Sequence, residues 1–213
     1  MDLQLKGHNV LVTGGTKGIG RAIVEVLSDE GCNIALCARN ADDVNAAVEA
    51  ISAKGVKVVG QQLDVGDGDA FKAWIAEAGE ALGGLDAYVS NVSGSNAPGD
   101  AGWKSHFDYN IMSAVHGVEA CLPFFEKSSN PSVVMISTTA ALEHFINAGP
   151  YNAMKAGLLN YSGALAQELG AKGIRVNAIS PGPIFIEGGS WDKIKQAMTA
   201  FYDSTVRSEE HTS

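Results

Sequence analysis

Short apolar runs rich in β-branched residues alternate with helical patterns along this chain, and this alternation limits the folds open to it. The apolar runs cover residues 9–13, 33–37, 57–61, 86–90, 132–137 and 175–179. The helical patterns cover residues 19–29, 41–53, 68–82, 103–125 and 151–171. Continuous apolar strands separated by helices indicate a parallel sheet with helices on both faces. We therefore predict an α/β protein whose ligands bind at the carboxyl ends of its strands.

The size of the chain indicates one domain. Its 213 residues are enough for one substantial core, and no linker or charge block divides them. The first residues have no basic segment followed by an apolar run, so we expect a cytoplasmic protein. We expect residues 1–206 to form the domain. Residues 207–213 look like a translated sequencing adapter, and we expect them to be a non-native tail, with an ordinary polar tail as the alternative.

Charge and cysteine content exclude several kinds of partner. A formal charge of -9 repels nucleic acid phosphates and anionic membranes, so we expect neither as a partner. Cys32, Cys37 and Cys121 are odd in number and lack Cys-x-x-Cys spacing. We therefore expect reduced, mostly buried thiols rather than disulfides or a metal site.

A glycine-rich loop follows the first predicted strand directly. Residues 13–20 read Thr-Gly-Gly-Thr-Lys-Gly-Ile-Gly, and a helix begins at Ile19. The amides and dipole of a helix N-terminus suit a pyrophosphate, although the spacing differs from G-x-G-x-x-G and from a Walker loop. A turn that only lets helix and strand pack closely is the alternative. The candidate cofactor-binding residues of this loop are Gly14, Thr16, Lys17, Gly18, Ile19 and Gly20.

A tyrosine and a lysine lie four residues apart at Tyr151 and Lys155. A phenol is a weak acid, with an ordinary pKa of about 10, so a catalytic tyrosine needs a fixed positive charge that stabilises its phenolate. Residues four apart share one helix face, which places the ammonium near the phenol and within reach of a cofactor's ribose. A tyrosine and a lysine at this spacing also arise by chance on exposed helices. The pair indicates catalysis because the glycine loop occurs in the same chain.

The motifs together resemble a known family. Four of them occur in its order and at its spacings: the glycine loop, Asn110, Tyr151 with Lys155, and Pro181-Gly182. Over residues 5–190 the chain resembles the short-chain dehydrogenase/reductase family. The resemblance implies a single-domain, doubly wound Rossmann-type sheet, here without its last edge strand. It also implies an NAD(P) cofactor, a small carbonyl or alcohol substrate, and a homodimer that pairs through the two long helices.

The turn after the second strand bears on the choice of cofactor. Ala38 occupies the place where an NAD-selective protein usually carries a carboxylate. Without that carboxylate, Arg39 can bind a 2′-phosphate bidentately and Lys17 can add a second charge. We therefore predict NADP(H) rather than NAD(H). The alternative is that Arg39 is a solvated arginine at a helix entry and Lys17 an ordinary loop charge.

The resemblance assigns further cofactor contacts to three turns. Asp64-Val65 corresponds to an acidic residue that accepts from the adenine amino group, with a helix N-cap as the rival role for Asp64. In Ser90-Asn91-Val92-Ser93 only Asn91 matches the family's Asn-Asn-Ala-Gly. After the sixth strand, the family's Pro-Gly turn lines the nicotinamide. These residues are Pro181, Gly182 and Ile184, while Ile186 stands where a threonine is common.

The resemblance also assigns a catalytic set. Asn110 corresponds to the family asparagine that holds a water against the lysine; the alternative is a satisfied asparagine at a helix bend. The family's serine, thirteen residues before the tyrosine, becomes Thr138, or Ser137 if the loop is one residue shorter. Both hydroxyls could instead simply end the fifth strand. Threonine keeps the donor, but its methyl group restricts χ1.

These assignments imply an oxidoreductase. A hydride passes between C4 of NADP(H) and a carbonyl carbon, while Thr138 polarises the oxygen and Tyr151 gives or takes its proton, as general acid and base. A non-catalytic NADP-binding or regulatory module of the same fold is the alternative. Phe145, Phe185 and Trp191 are candidates for an apolar substrate wall or for ordinary core.

Overall fold

The architecture is an alternation of parallel strands and helices. The computed structural model describes residues 3–144 and 148–205. The strands are β1 Asn9–Thr13, β2 Asn33–Ala38, β3 Val58–Gln62, β4 Ala87–Ser90, β5 Ser132–Ile136 and β6 Arg175–Ile179. The α-helices are α1 Gly18–Asp29, α2 Ala41–Ser52, α3 Gly68–Leu82, α4 Asp100–His106, α5 Ser113–Phe125, α6 Pro150–Gly170, α7 Ser190–Ala197 and α8 Thr199–Thr205.

The six strands form one parallel sheet in the order β3-β2-β1-β4-β5-β6. In β1, Val10 pairs with Ile34 of β2 on one side and with Ala87 of β4 on the other. The chain builds the sheet outward from β1 to β3 and then returns to place β4 beside β1. Such a reversal opens a crevice at the carboxyl ends of β1 and β4, where doubly wound folds bind ligands. The predicted Rossmann-type fold is confirmed.

The central strands β1, β2 and β4 are mostly apolar because they are buried on both faces, whereas the edge strands β3 and β6 carry exposed polar residues. Leu11 and Tyr88 belong to the core under α3, α5 and α6. Val12 and Leu36 belong to the second core, under α1 and α2. Residues that alternate along a strand thus enter different cores, which is why the sequence shows continuous apolar runs instead of an apolar-polar alternation.

The long helix predicted at residues 103–125 differs from the prediction. It begins three residues earlier, and its middle, Phe107–Met112, is π-helical between α4 and α5. In this stretch the Ser113 hydroxyl donates to the Tyr109 carbonyl at 2.6 Å. A π-helical turn inserts an extra residue into the helix and changes the direction of the side chains on it. The apolar periodicity alone does not reveal this change.

The helices α7 and α8 were also not predicted, and the other elements begin and end within one residue of their predicted bounds.

The three thiols are free and buried. Burial raises the pKa of Cys32 to about 11 and that of Cys37 to about 12, so both remain protonated near neutrality. Within the described ranges, no three His, Cys, Asp or Glu side chains gather closely enough to hold a metal ion. Residues 3–144 and 148–205 also contain no helix that could span a lipid bilayer. The predicted tail at 207–213 lies outside the described residues.

Candidate active site

The glycine loop joins β1 to α1 in a shape that side chains would prevent. Gly14 and Gly18 have φ values of +67° and +56°, a region that favours glycine. A Cβ at Gly20 would lie 2.2 Å from the Gly14 carbonyl oxygen. The N-cap of α1, Lys17, makes no side-chain hydrogen bond to the helix. The loop therefore presents uncapped amides at a helix N-terminus, the arrangement that binds phosphate groups.

Asn91 supports this loop from the end of β4. Its side-chain amide donates to the carbonyl oxygens of Thr13 at 3.0 Å and Gly14 at 3.4 Å. Its backbone N–H donates to the Thr13 hydroxyl at 3.0 Å, which in turn donates to the Val89 carbonyl. The Asn91 amide is therefore used on the loop itself, where it holds the crevice between β1 and β4 in shape.

A first cavity of about 390 Å³ lies at the carboxyl ends of β1, β2 and β3. It brings together most of the residues predicted to contact the adenosine half of the cofactor. Its lining includes Thr16, Lys17, Arg39, Asp64, Val65 and Tyr109. The cavity and the glycine cradle together fit a dinucleotide, because phosphate-binding amides adjoin a cleft with both polar and cationic side chains.

Lys17 forms an ion pair that the sequence did not indicate. Its ammonium lies 2.6 Å from an Asp43 carboxylate oxygen, and its side chain is 75% exposed. Asp43 lies in the first turn of α2, where its backbone N–H is capped by the Asn40 side chain at 2.9 Å. With Arg39 and Asp64, this pair gives the first cavity two positive and two negative groups.

Asp64 accepts two hydrogen bonds at the mouth of the first cavity. The Tyr109 hydroxyl donates to Oδ2 at 2.7 Å, and the Gly66 amide donates to Oδ1 at 2.9 Å. Burial, followed by the neighbouring Asp64, raises the pKa of Tyr109, while Arg39 opposes this shift. The rival role of helix cap belongs to Asp67, whose carboxylate accepts from the Ala70 amide at 3.1 Å. Tyr109 was missed by sequence reasoning because the π-helical stretch directs its side chain.

A second cavity of about 780 Å³ lies at the carboxyl ends of β4, β5 and β6. It receives residues from widely separated segments: the start of α1, the loop after β4, the end of α4, the loop after β5, the start of α6, and the loop after β6 with α7. Ser93 lines both cavities, so the two adjoin at the end of β4. The polar groups that reach the second cavity include Asn96, His106, Ser137, Thr138 and Tyr151.

Two adjacent hydroxyls follow β5 and make different hydrogen bonds. Ser137 donates to the Lys155 carbonyl oxygen at 3.0 Å and so helps to fix α6 to the sheet. Thr138 accepts from the Ala140 amide at 3.3 Å and caps the short 3-10 turn Thr139–Ala141. Because Thr138 is the acceptor in this contact, its own hydrogen can still be donated to a ligand.

Tyr151 and Lys155 lie one turn apart at the start of α6. Tyr151 is half-buried and lines the second cavity. Lys155 is only 2% exposed, and its ammonium donates to the Ile136 carbonyl oxygen at 2.6 Å. Burial lowers the pKa of Lys155 to about 8. The structure therefore holds a buried, readily deprotonated ammonium at the end of β5, one helical turn from the phenol.

Asn110 lies in the π-helical stretch and is 1% exposed. Its side-chain nitrogen is 3.0 Å from Nδ1 of His106, while its side-chain oxygen has no hydrogen-bond partner among the described residues. Nε2 of His106 is 3.1 Å from the Asn96 side-chain oxygen. The His106 ring also packs edge-on against Tyr151, with 5.7 Å between ring centroids. Sequence reasoning missed His106; the only signal was a histidine four residues before Asn110.

The loop after β6 closes the second cavity. Pro181, Gly182 and Ile184 line it, as does Trp191, which packs edge-on against Tyr202. The Thr139 amide donates to the Pro181 carbonyl at 3.0 Å and so links this loop to the end of β5. Of the other aromatic candidates for the substrate wall, Phe185 is exposed and Phe145 lies outside the described residues.

Comparison with known proteins agrees with this geometry. The family model described as short chain dehydrogenase matches residues 8–189. Isoepoxydon dehydrogenase patN of Penicillium expansum is 36% identical over 196 residues, which cover 88% of this chain and 74% of that protein. Dehydrogenase/reductase SDR family member 4 of Oryctolagus cuniculus is 34% identical over 180 residues, covering 82% of this chain and 69% of that protein.

Solved structures with the same fold bind different nucleotides. The structure of L-sorbose reductase from Gluconobacter frateurii, complexed with NADPH and L-sorbose, matches with a TM-score of 0.86 and 30% identity. That match covers 94% of this chain and 78% of the other. Carveol dehydrogenase from Mycobacterium avium, in complex with NAD, matches with a TM-score of 0.77 and 27% identity, covering 83% and 70%. On the family match and these relatives, the chain belongs to the short-chain dehydrogenase family and is an oxidoreductase.

Proposed function

We propose that this protein transfers a hydride between NADP(H) and the carbonyl or secondary alcohol carbon of a small molecule, with Tyr151 as general acid and base. One observation carries the proposal: Tyr151 and Thr138 line one cavity, which adjoins the glycine-loop cavity at Ser93. A bound nucleotide supplies or accepts the hydride. The protein's own residues then have to bind the substrate oxygen and move its proton.

Tyr151 is the group proposed to move that proton. Its phenol reaches the second cavity, and the buried ammonium of Lys155 follows one turn later on α6. A positive charge in a low-dielectric interior stabilises a nearby phenolate more strongly than it does in water. The Lys155 ammonium donates to the backbone carbonyl of Ile136 in β5, so the sheet holds the ammonium in place.

Thr138 is the hydroxyl proposed to donate to the substrate oxygen, in preference to Ser137. The Ser137 hydrogen is used on the Lys155 carbonyl, within the protein interior. Thr138 accepts from Ala140, which leaves its hydrogen for the cavity and restricts χ1 to one orientation. Asn110 is proposed to complete the catalytic set through its buried, unpartnered side-chain oxygen.

The preference for NADP(H) rests on residues of this chain, because solved relatives bind either nucleotide. Ala38 brings no carboxylate to the first cavity, whereas Arg39 and Lys17 bring positive charge. Lys17 has to leave Asp43 before it can bind a phosphate. The Lys17 side chain is 75% exposed in that pair, and surface pairs contribute about 0–1 kcal/mol, so the exchange costs little. We propose that Gly14, Thr16, Gly18, Ile19, Gly20, Asp64, Val65, Asn91, Pro181, Gly182 and Ile184 hold the rest of the nucleotide.

We also propose a homodimer, which the family resemblance implies. Trp103 and Phe107, one turn apart on α4 and the π-helical stretch, are 46% and 45% exposed. Two large aromatic side chains exposed on one face suit a protein interface. Light scattering on the purified protein tests this proposal; a monomer at micromolar concentration would contradict it. A cytoplasmic location stays a prediction.

The experiment that tests the proposed function is NADPH oxidation with a panel of ketones, ketoses and quinones, repeated with NADH. Turnover that depends on Tyr151 supports the proposal. Nucleotide binding without turnover, unchanged by Tyr151→Phe, would instead favour the non-catalytic binding module. A faster reaction with NADH than with NADPH would overturn the cofactor assignment and leave the chemistry intact.

A further inference from the structure

His106 connects three elements around the second cavity. It is completely buried and is the last residue of α4. One ring nitrogen contacts Asn96 from the loop after β4, and the other contacts Asn110 from the π-helical stretch. Its ring packs against Tyr151 of α6 in an edge-to-face arrangement. A buried polar ring with both nitrogens bonded has little freedom to change its orientation.

The two contacts determine where the hydrogen of the ring lies. The Asn96 oxygen can only accept, so Nε2 of His106 has to donate to it. The Asn110 nitrogen can only donate, so Nδ1 has to accept from it. The ring is therefore neutral, with its hydrogen on Nε2. Burial and the charge of Lys155 both lower the pKa of His106, in agreement with a neutral ring.

The tautomer of His106 and the orientation of the Asn110 amide are coupled, because each is compatible with only one state of the other. With its nitrogen bound to Nδ1, Asn110 is left with a buried side-chain oxygen that has no partner among the described residues. A buried carbonyl oxygen requires a donor, which a water molecule or an ammonium can provide. In the opposite amide orientation, N–H groups would occupy this place, and they cannot accept from a lysine or orient a water toward one.

We propose that His106 is a positioning residue of the reaction: its neutral ring fixes the Asn110 amide with the oxygen free to accept, and packs against Tyr151. This inference rests on the proposed function, because it gives Asn110 a place in the proton relay to Lys155. His106 contacts neither substrate nor cofactor in this role. It acts through the orientation of Asn110 and through the position of the phenol.

Two substitutions separate the hydrogen bonds of His106 from its bulk. His106→Gln keeps one donor and one acceptor, whereas His106→Phe keeps a ring against Tyr151 and removes both hydrogen bonds. We expect His106→Phe to lower kcat about tenfold or more, because it removes one or two buried hydrogen bonds. We expect KM for NADPH to change by less than about twofold. We expect His106→Gln to keep kcat within about threefold of the original protein. His8→Gln, at a site remote from the cavity, is the matched control.

The tautomer is tested without turnover by nitrogen NMR of the histidine rings at neutral pH. The signals of His106 are assigned by their absence in His106→Gln. We expect a hydrogen on Nε2 and none on Nδ1. A hydrogen on Nδ1, or a charged ring, would overturn the proposal even if His106→Phe fails to fold.

The two proposals fail in different ways. If the original protein turns over no substrate in the panel, the proposed function fails, and the NMR measurement still decides the orientation of Asn110. If the original protein is active and His106→Phe is equally fast, the positioning role is overturned and the proposed function stands. A loss of kcat in His106→Phe that His106→Gln restores, together with the hydrogen on Nε2, supports the inference.

Discussion

The two cavities are built in different ways from the same sheet. The first is formed mainly by the turns that directly follow β1, β2 and β3, and its lining also includes Val92 and Ser93 after β4 and Tyr109 of the π-helical stretch. The second is assembled from six segments, namely Ile19 of α1 and five segments between residues 93 and 194. A local motif therefore describes most of the first cavity, whereas the second exists only when distant segments fold together.

The cavities also differ in chemistry. The first carries exposed or half-exposed charged groups: Lys17, Arg39, Asp43 and Asp64. The second has an apolar lining, with a buried ammonium and a few hydroxyl, amide and imidazole groups beside it. Exposed charges are screened by solvent, and buried ones are not. We therefore expect changes in the first cavity to alter nucleotide affinity and changes in the second to alter kcat.

The strongest test of this contrast is Tyr151→Phe. The phenol is the proposed acid and base, and general acid catalysis contributes about 10²–10⁴-fold. We expect kcat to fall by that amount, with the dissociation constant for NADPH changed by less than about twofold, measured by fluorescence titration. A variant that keeps full activity would remove the second cavity from the chemistry.

Thr138→Val tests the hydroxyl beside the phenol. Valine keeps the shape of threonine and removes the hydrogen that Thr138 can donate, so we expect kcat to fall about 10²-fold, as when one oxyanion donor is lost. Thr138→Ser is expected to retain most of the activity. Ser137→Ala serves as the matched control, because the Ser137 hydroxyl bonds to the Lys155 carbonyl. If Ser137→Ala is the more damaging change, the two hydroxyls have exchanged roles.

The buried ammonium of Lys155 predicts a pH dependence of stability. Its pKa is about 8 in the folded protein and 10.5 as the ordinary value. Below pH 8 Lys155 is protonated in both the folded and the unfolded protein. Between pH 8 and 10.5 the unfolded protein binds this proton more fully than the folded protein does. The contribution of Lys155 to the free energy of unfolding therefore rises with pH in this range. A shift of this size corresponds to roughly 3 kcal/mol. We expect Lys155→Met to be inactive and, at pH 7, more stable by about 1–3 kcal/mol.

The measurement is chemical denaturation of both proteins between pH 7 and 10. Only their difference isolates the lysine, because buried thiols such as Cys32, with an ordinary pKa of 9.0, act in the opposite direction in both proteins. We expect the stability advantage of Lys155→Met to shrink as pH rises above 8. An advantage that is independent of pH would show that the ammonium is not held in a desolvated state.

Arg39→Ala tests the first cavity. Removing a charge-assisted contact to phosphate costs about 1.5–3 kcal/mol, so we expect KM for NADPH to rise roughly 10- to 100-fold with kcat nearly unchanged. KM for NADH should change by less than about threefold. Asp43→Asn is the informative companion, because it frees Lys17 and should lower KM for NADPH. If Arg39→Ala raises KM by the same factor for NADPH and for NADH, the result would argue for NAD(H) as the cofactor.

Local physics explains how much of the fold could be predicted. Strands buried on both faces appear as apolar runs, and each observed strand lies within one residue of its predicted bounds. Gly14 and Gly18 have positive φ values that favour glycine, and a Cβ at Gly20 would collide with the Gly14 carbonyl oxygen. Tyr151 and Lys155 share a helix because their spacing matches the helical repeat.

Other features had no sequence signal strong enough to predict them. The π-helical stretch packs against α6, and apolar periodicity does not encode this packing. It directs Tyr109 to Asp64 and Asn110 to His106, so both pairings were missed. The partner of Lys17 was missed for a similar reason, because an exposed lysine has several carboxylates within reach.

By itself the sequence determined the parallel sheet, the glycine cradle and the helical spacing of the phenol and the ammonium, since each follows from backbone conformation or burial along one segment. Only the tertiary structure decided which hydroxyl after β5 keeps a free hydrogen, which half of the Asn110 amide is left unpartnered, and where the charge of Lys155 is held. Hydrogen bonds between distant segments depend on distances of a few tenths of an ångström, and no local pattern in the chain specifies those distances.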